Sequence, residues 1–284
     1  MTSSAKAVQA ETVVELLDLE QLDRDLYRGM HSMMEPGRPT LYGGQVAAQA
    51  LMAAGLTVPE GRTPHSLHGY FLRPGIPDVP VNLQVHRDRD GRSFSARHVA
   101  AVQDGEVIFS MLASFHAGRE GVEIDDVDAT PMPPPEECEE WPSRMPVDMV
   151  QVTEHEYTDA QKYSDTFWVR SSHPLPDDAL VHSCGLTFLS DIGTGFGQIQ
   201  NDEIGYGGPS IDHAMWFHHP VRADDWVLVH LWPAKAFSRR ATYHGAMRDR
   251  SGRLGAMLVQ EHLLIDRPHM DMRTWPADWK EQMG

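Results

Sequence analysis

The stretch GGQVAAQALMAAG (residues 43–55), followed by HSLHGYFLRPG (65–75) and DGRSFSARHVAAVQDGEVIFSMLASFH (90–116), decides the fold. Its order returns later as LVHSCGLTFLSDIG (180–193), SIDHAMWFHHP (210–220) and SRRATYHGAMRDRSGRLGAMLVQEHLLI (238–265). Each half reads as a small-residue helix followed by strands. Gly105 and Gly252 occupy matching turns, so Met111 corresponds to Leu258 and Ala113 to Gln260. Only the second half carries an acid in its helix segment, Asp191, and an amide at that strand position. Two like halves with polar groups in one predict a fused pseudo-dimer that keeps one kind of site.

The local signals fill in this frame. Gly43–Gly55 is Ala-rich on every side, which predicts a helix wrapped closely by a sheet, with Gly55 capping its end. Val81, Leu83 and Val85 alternate with polar residues as in a half-buried strand. Strands are expected at Ser66–Arg73, Val81–His86, Phe94–Val102 and Val107–His116, with hairpin turns at Asp90-Gly91 and Asp104-Gly105. In the second half they are expected at Thr166–Arg170, Ile211–His218, Trp226–Trp232, Arg239–Arg248 and Leu254–Ile265. A second helix should run from Leu180 to about Asp191, capped by Asp177 or Asp178. Thr12–Leu22 reads as a short amphipathic helix, and residues 1–11 as disordered. Nine acids fall between Glu120 and Glu140, with Pro131, Pro133, Pro134 and Pro135 among them. The expected organisation is 12–117 as a first unit, 118–155 as an acidic, Pro-rich linker and 156–270 as a second unit.

The chain has 284 residues, 41% of them hydrophobic, enough for a packed core. Net charge is −17, from 24 Lys+Arg against 41 Asp+Glu. That argues against nucleic acid or an anionic membrane surface as the main partner, because phosphate backbones demand basic surface. It leaves room for a small anionic ligand held by a few arginines. Two cysteines, Cys138 and Cys184, give no disulfide framework, so a reducing, cytoplasmic setting is expected. The N-terminal segment lacks the layout of a signal peptide, and no apolar run reaches membrane-spanning length.

Sixteen histidines invite a metal reading, but the sequence has neither an HxxxH helix pair nor a CxxC. His65 and His68 stand three apart on an expected strand and should point to opposite faces; no metal is expected. The GxSxG elbow of a serine hydrolase is absent. Ser210, in GGPSIDH, is placed to hydrogen-bond, and nothing local would make it a nucleophile.

The strings GGQVAAQAL, HSLHGYFLRPG, SFSARHVAAVQDG, SIDHAMWFHHP and VQEHLL resemble the type II acyl-CoA thioesterases, the TesB-like family, across roughly residues 12–266. The resemblance implies an α+β double hotdog, two fused helix-in-antiparallel-sheet units. It implies hydrolysis of fatty acyl-CoA to fatty acid and CoA, without cofactor, by a homo-oligomer (dimer or tetramer). It also implies a catalytic set of Asp191 in FLSDIG, Ser210 in PSIDH and Gln260 in VQEHLL. The chemistry fits: a carboxylate accepts a proton from water that a hydroxyl and an amide hold in place. The oxyanion needs backbone N–H donors, from a helix N-terminus or a Gly-rich loop.

Arg87, Arg89, Arg92, Arg97, Arg239 and Arg240 are candidates for the CoA phosphates. Met52, Met111, Met215, Met247 and Met257 are candidates for acyl lining or for core. Asp212 competes with Asp191 as the acid, with bonding to a His or to backbone near the strand start as its structural role. One rival is a hotdog hydratase or dehydratase, with His65 and His68 as its acid and base. Another is a non-catalytic acyl-CoA-binding protein.

Overall fold

A computed structural model describes residues 6–34, 40–119, 121–125, 131–152, 165–193 and 206–265. The first half runs β1 (Val8–Gln9), α1 (Val13–Leu17), β2 (Leu19–Asp23), β3 (Leu26–Gly29), β4 (His31–Ser32), α2 (Gly43–Gly55), β5 (Thr63–Phe71), β6 (Val81–Asp90), β7 (Phe94–Gln103) and β8 (Glu106–His116). The second runs β9 (Glu139–Glu140), β10 (Val147–Gln151), β11 (Asp165–Ser171), α3 (Ala179–Leu189), β12 (Tyr206–Ser210), β13 (Asp212–Phe217), β14 (Val227–Phe237), β15 (Arg240–Arg248) and β16 (Leu254–Ile265).

Among the described residues one large antiparallel sheet orders its strands β2-β3-β6-β7-β8-β5-β13-β16-β15-β14-β11-β10-β9, with β12 beside β16. The duplication is visible in that order. From the central β5–β13 seam, each half continues outward through its last strand, β8 or β16. The register obeys the same two-fold. Leu67 pairs with Met215, and Gly69 pairs with His213. Leu67 also pairs with Ala113, and Met215 with Leu258. The equivalence of Ala113 with Gln260 therefore makes Leu67 the counterpart of His213. Likewise Pro64, paired with Phe115, answers to Ser210, paired with His262. Gly105 and Gly252 share a φ of 84°, as matching turns should.

The two central helices lie side by side beneath the sheet. Every residue of α2 after Gly43 is buried, because an Ala-rich helix lets neighbours approach on all sides. Gly55 does not cap the helix: Leu56 does, in ordinary helical conformation. A Cβ at Gly55 would sit 2.4 Å from the Leu180 side chain, so close approach of α3 is what requires glycine there. Asp178 caps α3, accepting from Leu180 N at 2.8 Å and Val181 N at 3.0 Å.

Four further expectations change. The Thr12–Leu22 helix is shortened to Val13–Leu17: the capping box of Thr12 and Glu15 fixes its start, while Asp18 is extended and Leu19 onward joins β2. Residues 6–11, expected to be disordered, include β1, which pairs with β4; residues 1–5 lie outside the described residues. The stretch expected to be linker supplies β9 and β10, and β10 pairs with β11 along its length. Its acids also bind the second half: Asp125 holds the buried Arg248 at 2.9 Å, and Glu136 holds Arg250 at 2.7 Å. Finally, His65 and His68 share the outer face. A β-bulge between Pro64 and Ser66 shifts the alternation, so His65 bonds Ser114 at 2.8 Å while His68 meets Trp216.

Candidate active site

The end of α3 brings Asp191 past its C-cap Ser190, with Ile192 and Leu189 buried on either side. A carboxylate is unfavourable at its own helix C-terminus. Here it faces the N-terminus of the other helix. A Cβ on Gly43, the first residue of α2, would lie 2.6 Å from Asp191 Oδ2. The N-cap residue Tyr42 makes no side-chain cap, so it leaves the first-turn amides directed at the site. The positive end of α2 thus offsets the negative end of α3.

Around this carboxylate the described residues close a network. Gln260 Nε2 donates to Asp191 Oδ1 at 2.7 Å and to Ser210 Oγ. Ser210 Oγ donates to Asp191 Oδ1 at 3.3 Å. The structure therefore brings together the three side chains that the sequence singles out, from a helix end, a bulged strand and a central strand. Gln260 is 1% exposed; an amide buried that deeply needs all these partners.

A fourth residue was not singled out from the sequence. His213, fully buried, bonds Gln260 Oε1 through Nδ1 and Ser190 Oγ through Nε2 at 2.8 Å. Burial pushes its pKa down to about 4, so the ring is neutral at physiological pH. The signal was present in SIDHAMWF against HSLHGYF: aligning Phe217 with Phe71 sets His213 against an aliphatic residue. Among the described residues the first half has no such centre. There Pro64, Leu67 and Ala113 stand for Ser210, His213 and Gln260, and Thr57, two residues beyond α2, stands for Asp191.

Other candidates separate. Asp212 accepts from the Glu261 backbone N–H at 2.8 Å, and burial raises its pKa; it pairs with the exposed Tyr70 across the seam, on the face opposite His213. The arginines do not form one cluster. Arg87, Arg89, Arg92 and Arg97 belong to the β6–β7 hairpin, at the end of the sheet where Phe94 pairs with His116. Arg239 and Arg240 lie at the other end, with Arg240 paired to Leu263 one step from His262, the partner of Ser210. Arg97 is wholly buried and bound to Asp90 at 2.8 Å, so it is not available to a phosphate. Met52, Met111, Met215 and Met247 lie in the core, and Met215 Sδ touches Ser190 Oγ at 3.2 Å. No group of three or more His, Cys, Asp or Glu placed to hold a metal occurs among the described residues.

The Gly43 contact yields a prediction. Gly43→Ala is expected to displace the Asp191 carboxylate and lower kcat by about 10- to 100-fold, since misplacement of about 1 Å has that order of effect. The Phe71 ring, 3.1 Å from the added methyl, must give by only a few tenths of an ångström, so the melting temperature should move less than kcat. Steady-state kinetics with thermal melting checks both; unchanged kcat would show that the carboxylate accommodates the methyl.

Comparison with known proteins gives a consistent result. Residues 30–116 match the acyl-CoA thioesterase N-terminal domain family, and residues 139–263 match the acyl-CoA thioesterase family. Acyl-coenzyme A thioesterase 8 of Homo sapiens is 34% identical over 289 residues, which cover 91% of this chain and 90% of the human protein. The crystal structure of an acyl-CoA thioesterase II from Mycobacterium marinum is 38% identical with a TM-score of 0.79, covering 91% of this chain and all of that one. A protein of unknown function with a hot dog fold from Alicyclobacillus acidocaldarius, 19% identical, shares the fold at a TM-score of 0.74, covering 90% of this chain and 98% of its own.

Proposed function

Because the chain belongs to the acyl-CoA thioesterase family, and is a thioester hydrolase with the double hotdog fold, we propose that Asp191 is the general base that activates water against the thioester carbonyl. The observation that carries this reading is the convergence of Ser210 and Gln260 on one carboxylate oxygen, Oδ1. Oδ2 then faces the α2 N-terminus, where substrate and water would meet it.

In this reading Asp191 takes a proton from water as the water oxygen bonds to the acyl carbon. The first-turn amides of α2 stabilise the oxyanion, which is the helix-terminus choice among the donors expected from the sequence. Collapse breaks the C–S bond, and the CoA thiolate takes the proton that Asp191 held. Ser210 is a positioning hydroxyl, not a nucleophile: among the described residues its side chain bonds Asp191 and Gln260, and the imidazole of His213 is bonded to Gln260 and Ser190 instead. Ser210→Ala is expected to lower kcat about tenfold, the scale of one hydrogen bond, with a stopped reaction assay as the check.

Two further parts of the reading have their own support. Arg239 and Arg240 are the candidate arginines at the site's end of the sheet; Arg240 is half exposed and paired with Glu261 at 3.1 Å, so a CoA phosphate would compete with that carboxylate. Exposed Tyr70, Leu112 and Trp216 on the outer face suit a homo-oligomer packed sheet to sheet. The free Cys138 and Cys184 suit a reducing compartment, and no described helix is long and apolar enough to cross a membrane. The hydratase reading loses ground, since its acid and base, His65 and His68, lie on the outer face away from the helices.

The test is release of free thiol from acyl-CoAs of graded chain length. Turnover with at least one of them is expected. Binding of acyl-CoA without thiol release would overturn catalysis in favour of the non-catalytic binding protein.

A further inference from the structure

We propose that His213 is a positioning residue that fixes the Gln260 amide in its working orientation, an inference that rests on Asp191, Ser210 and Gln260 being the catalytic set. The two ends of a glutamine amide are nearly identical in shape and opposite in hydrogen-bonding sense. Turned about, Gln260 would aim Oε1 at the Asp191 carboxylate and at the lone pairs of Ser210. The carboxylate disfavours that flip, but it holds the amide by its nitrogen end alone. His213 holds it from the other side, by presenting a donor at Nδ1 to which only Oε1 can bond.

The ring is itself held. A neutral imidazole that donates at Nδ1 must accept at Nε2, and Ser190 Oγ lies 2.8 Å from that nitrogen. Ser190 also lies 2.8 Å from the Thr187 carbonyl, its ordinary helical acceptor; the ring nitrogen is the stronger claimant for the single hydroxyl proton, because it has no other donor among the described residues. The chain of donors therefore runs Ser190 to His213 to Gln260 to Asp191 and Ser210 in one sense throughout. Ser190 immediately precedes Asp191, so the same turn of backbone anchors both ends of the chain. In the first half Leu67 replaces the imidazole and Ala113 replaces the amide, so donor and recipient are absent together.

The experiment compares kcat and KM for wild type, His213→Leu, His213→Asn, Gln260→Ala and the His213→Leu/Gln260→Ala double variant. Leu is the residue at the equivalent place in the first half, and Asn has the shape of Leu but offers an N–H near the position of Nδ1. Loss of the directing bond is expected to lower kcat about tenfold in His213→Leu with KM unchanged. His213→Asn should recover most of that loss. His213→Leu should cost nothing further on Gln260→Ala, since the amide it orients is gone. Wild-type kcat in His213→Leu, equal impairment of the Leu and Asn variants, or losses that multiply in the double variant would overturn the inference. Wild-type kcat in Gln260→Ala would instead overturn the assignment of Gln260 itself, and the inference with it. Nitrogen-15 NMR of the wild-type imidazole is an independent measurement should the Leu variant not fold. A neutral ring protonated at Nδ1 is expected; protonation at Nε2, or a charged ring at neutral pH, would overturn it.

Discussion

Asp191→Asn is expected to lower kcat by about 100-fold or more while KM and the melting temperature stay close to wild type. The substitution is nearly isosteric. Its carbonyl oxygen still accepts from Gln260 and Ser210, as Oδ1 does now. What disappears is the negative charge facing the N-terminus of α2 and the capacity to take a proton. A loss confined to kcat is the mark of a group that acts in the transition state rather than in binding. If the variant keeps wild-type turnover, the base lies elsewhere and Asp212 is the next acid to replace. The geometry argues against that outcome, because Asp212 is committed to the backbone of β16 through Glu261 N.

The second large effect concerns stability. Arg97→Leu is expected to destabilise the fold by about 3 kcal/mol, toward the lower end for removing one partner of a buried ion pair. Arg97 is fully buried and every one of its nitrogens is engaged. Nε donates to Thr57 Oγ1 at 2.7 Å, Nη1 to the carbonyls of Arg89 and Ala96 at 3.0 and 2.9 Å, and Nη2 to Asp90 and the Thr57 carbonyl. Leucine fills part of the volume and leaves those acceptors without a donor. The Asp90 side chain is 39% exposed and regains water, which keeps the cost from being larger. Thermal melting should show a fall of roughly 6–12 °C; a shift below about 2 °C would mean that water replaces the guanidinium. Thr57 is where the first half would have its Asp191, so this anchor occupies the place that the second half gives to chemistry.

Much of this was legible in the residues. The α2 limits Gly43–Gly55 and the β16 limits Leu254–Ile265 follow from composition and alternation, because a run of small residues and a long apolar strand leave few alternatives. The pairing of Gly105 with Gly252 carried the comparison of halves, since both turns demand a positive φ. The site residues came through the resemblance, with the unequal acid and amide as independent support. Other features depended on what a linear pattern does not contain. The bulge after Pro64 moved His65 onto the face of His68. The crossing of α2 with α3 made Gly55 a contact rather than a cap. Strand direction split the arginines between opposite ends of the sheet. A cluster of acids and prolines concealed β10, whose burial comes from Val147, Met149 and Val150 within a sequence that otherwise reads as loop. His213 was within reach of the alignment of SIDHAMWF with HSLHGYF, but its role depends on where Ser190 and Gln260 fold.

The central claim is that water, activated by Asp191, attacks the thioester directly. Single-turnover hydrolysis with enzyme in excess, run in 18O-labelled water, tests it. Mass spectrometry of the fatty acid and of the peptide that contains Asp191 gives the result. Direct attack places one labelled oxygen in the fatty acid and none in the protein. Unlabelled fatty acid together with label in the Asp191 carboxylate would contradict the account, because it would make Asp191 a nucleophile that passes through an acyl-enzyme anhydride.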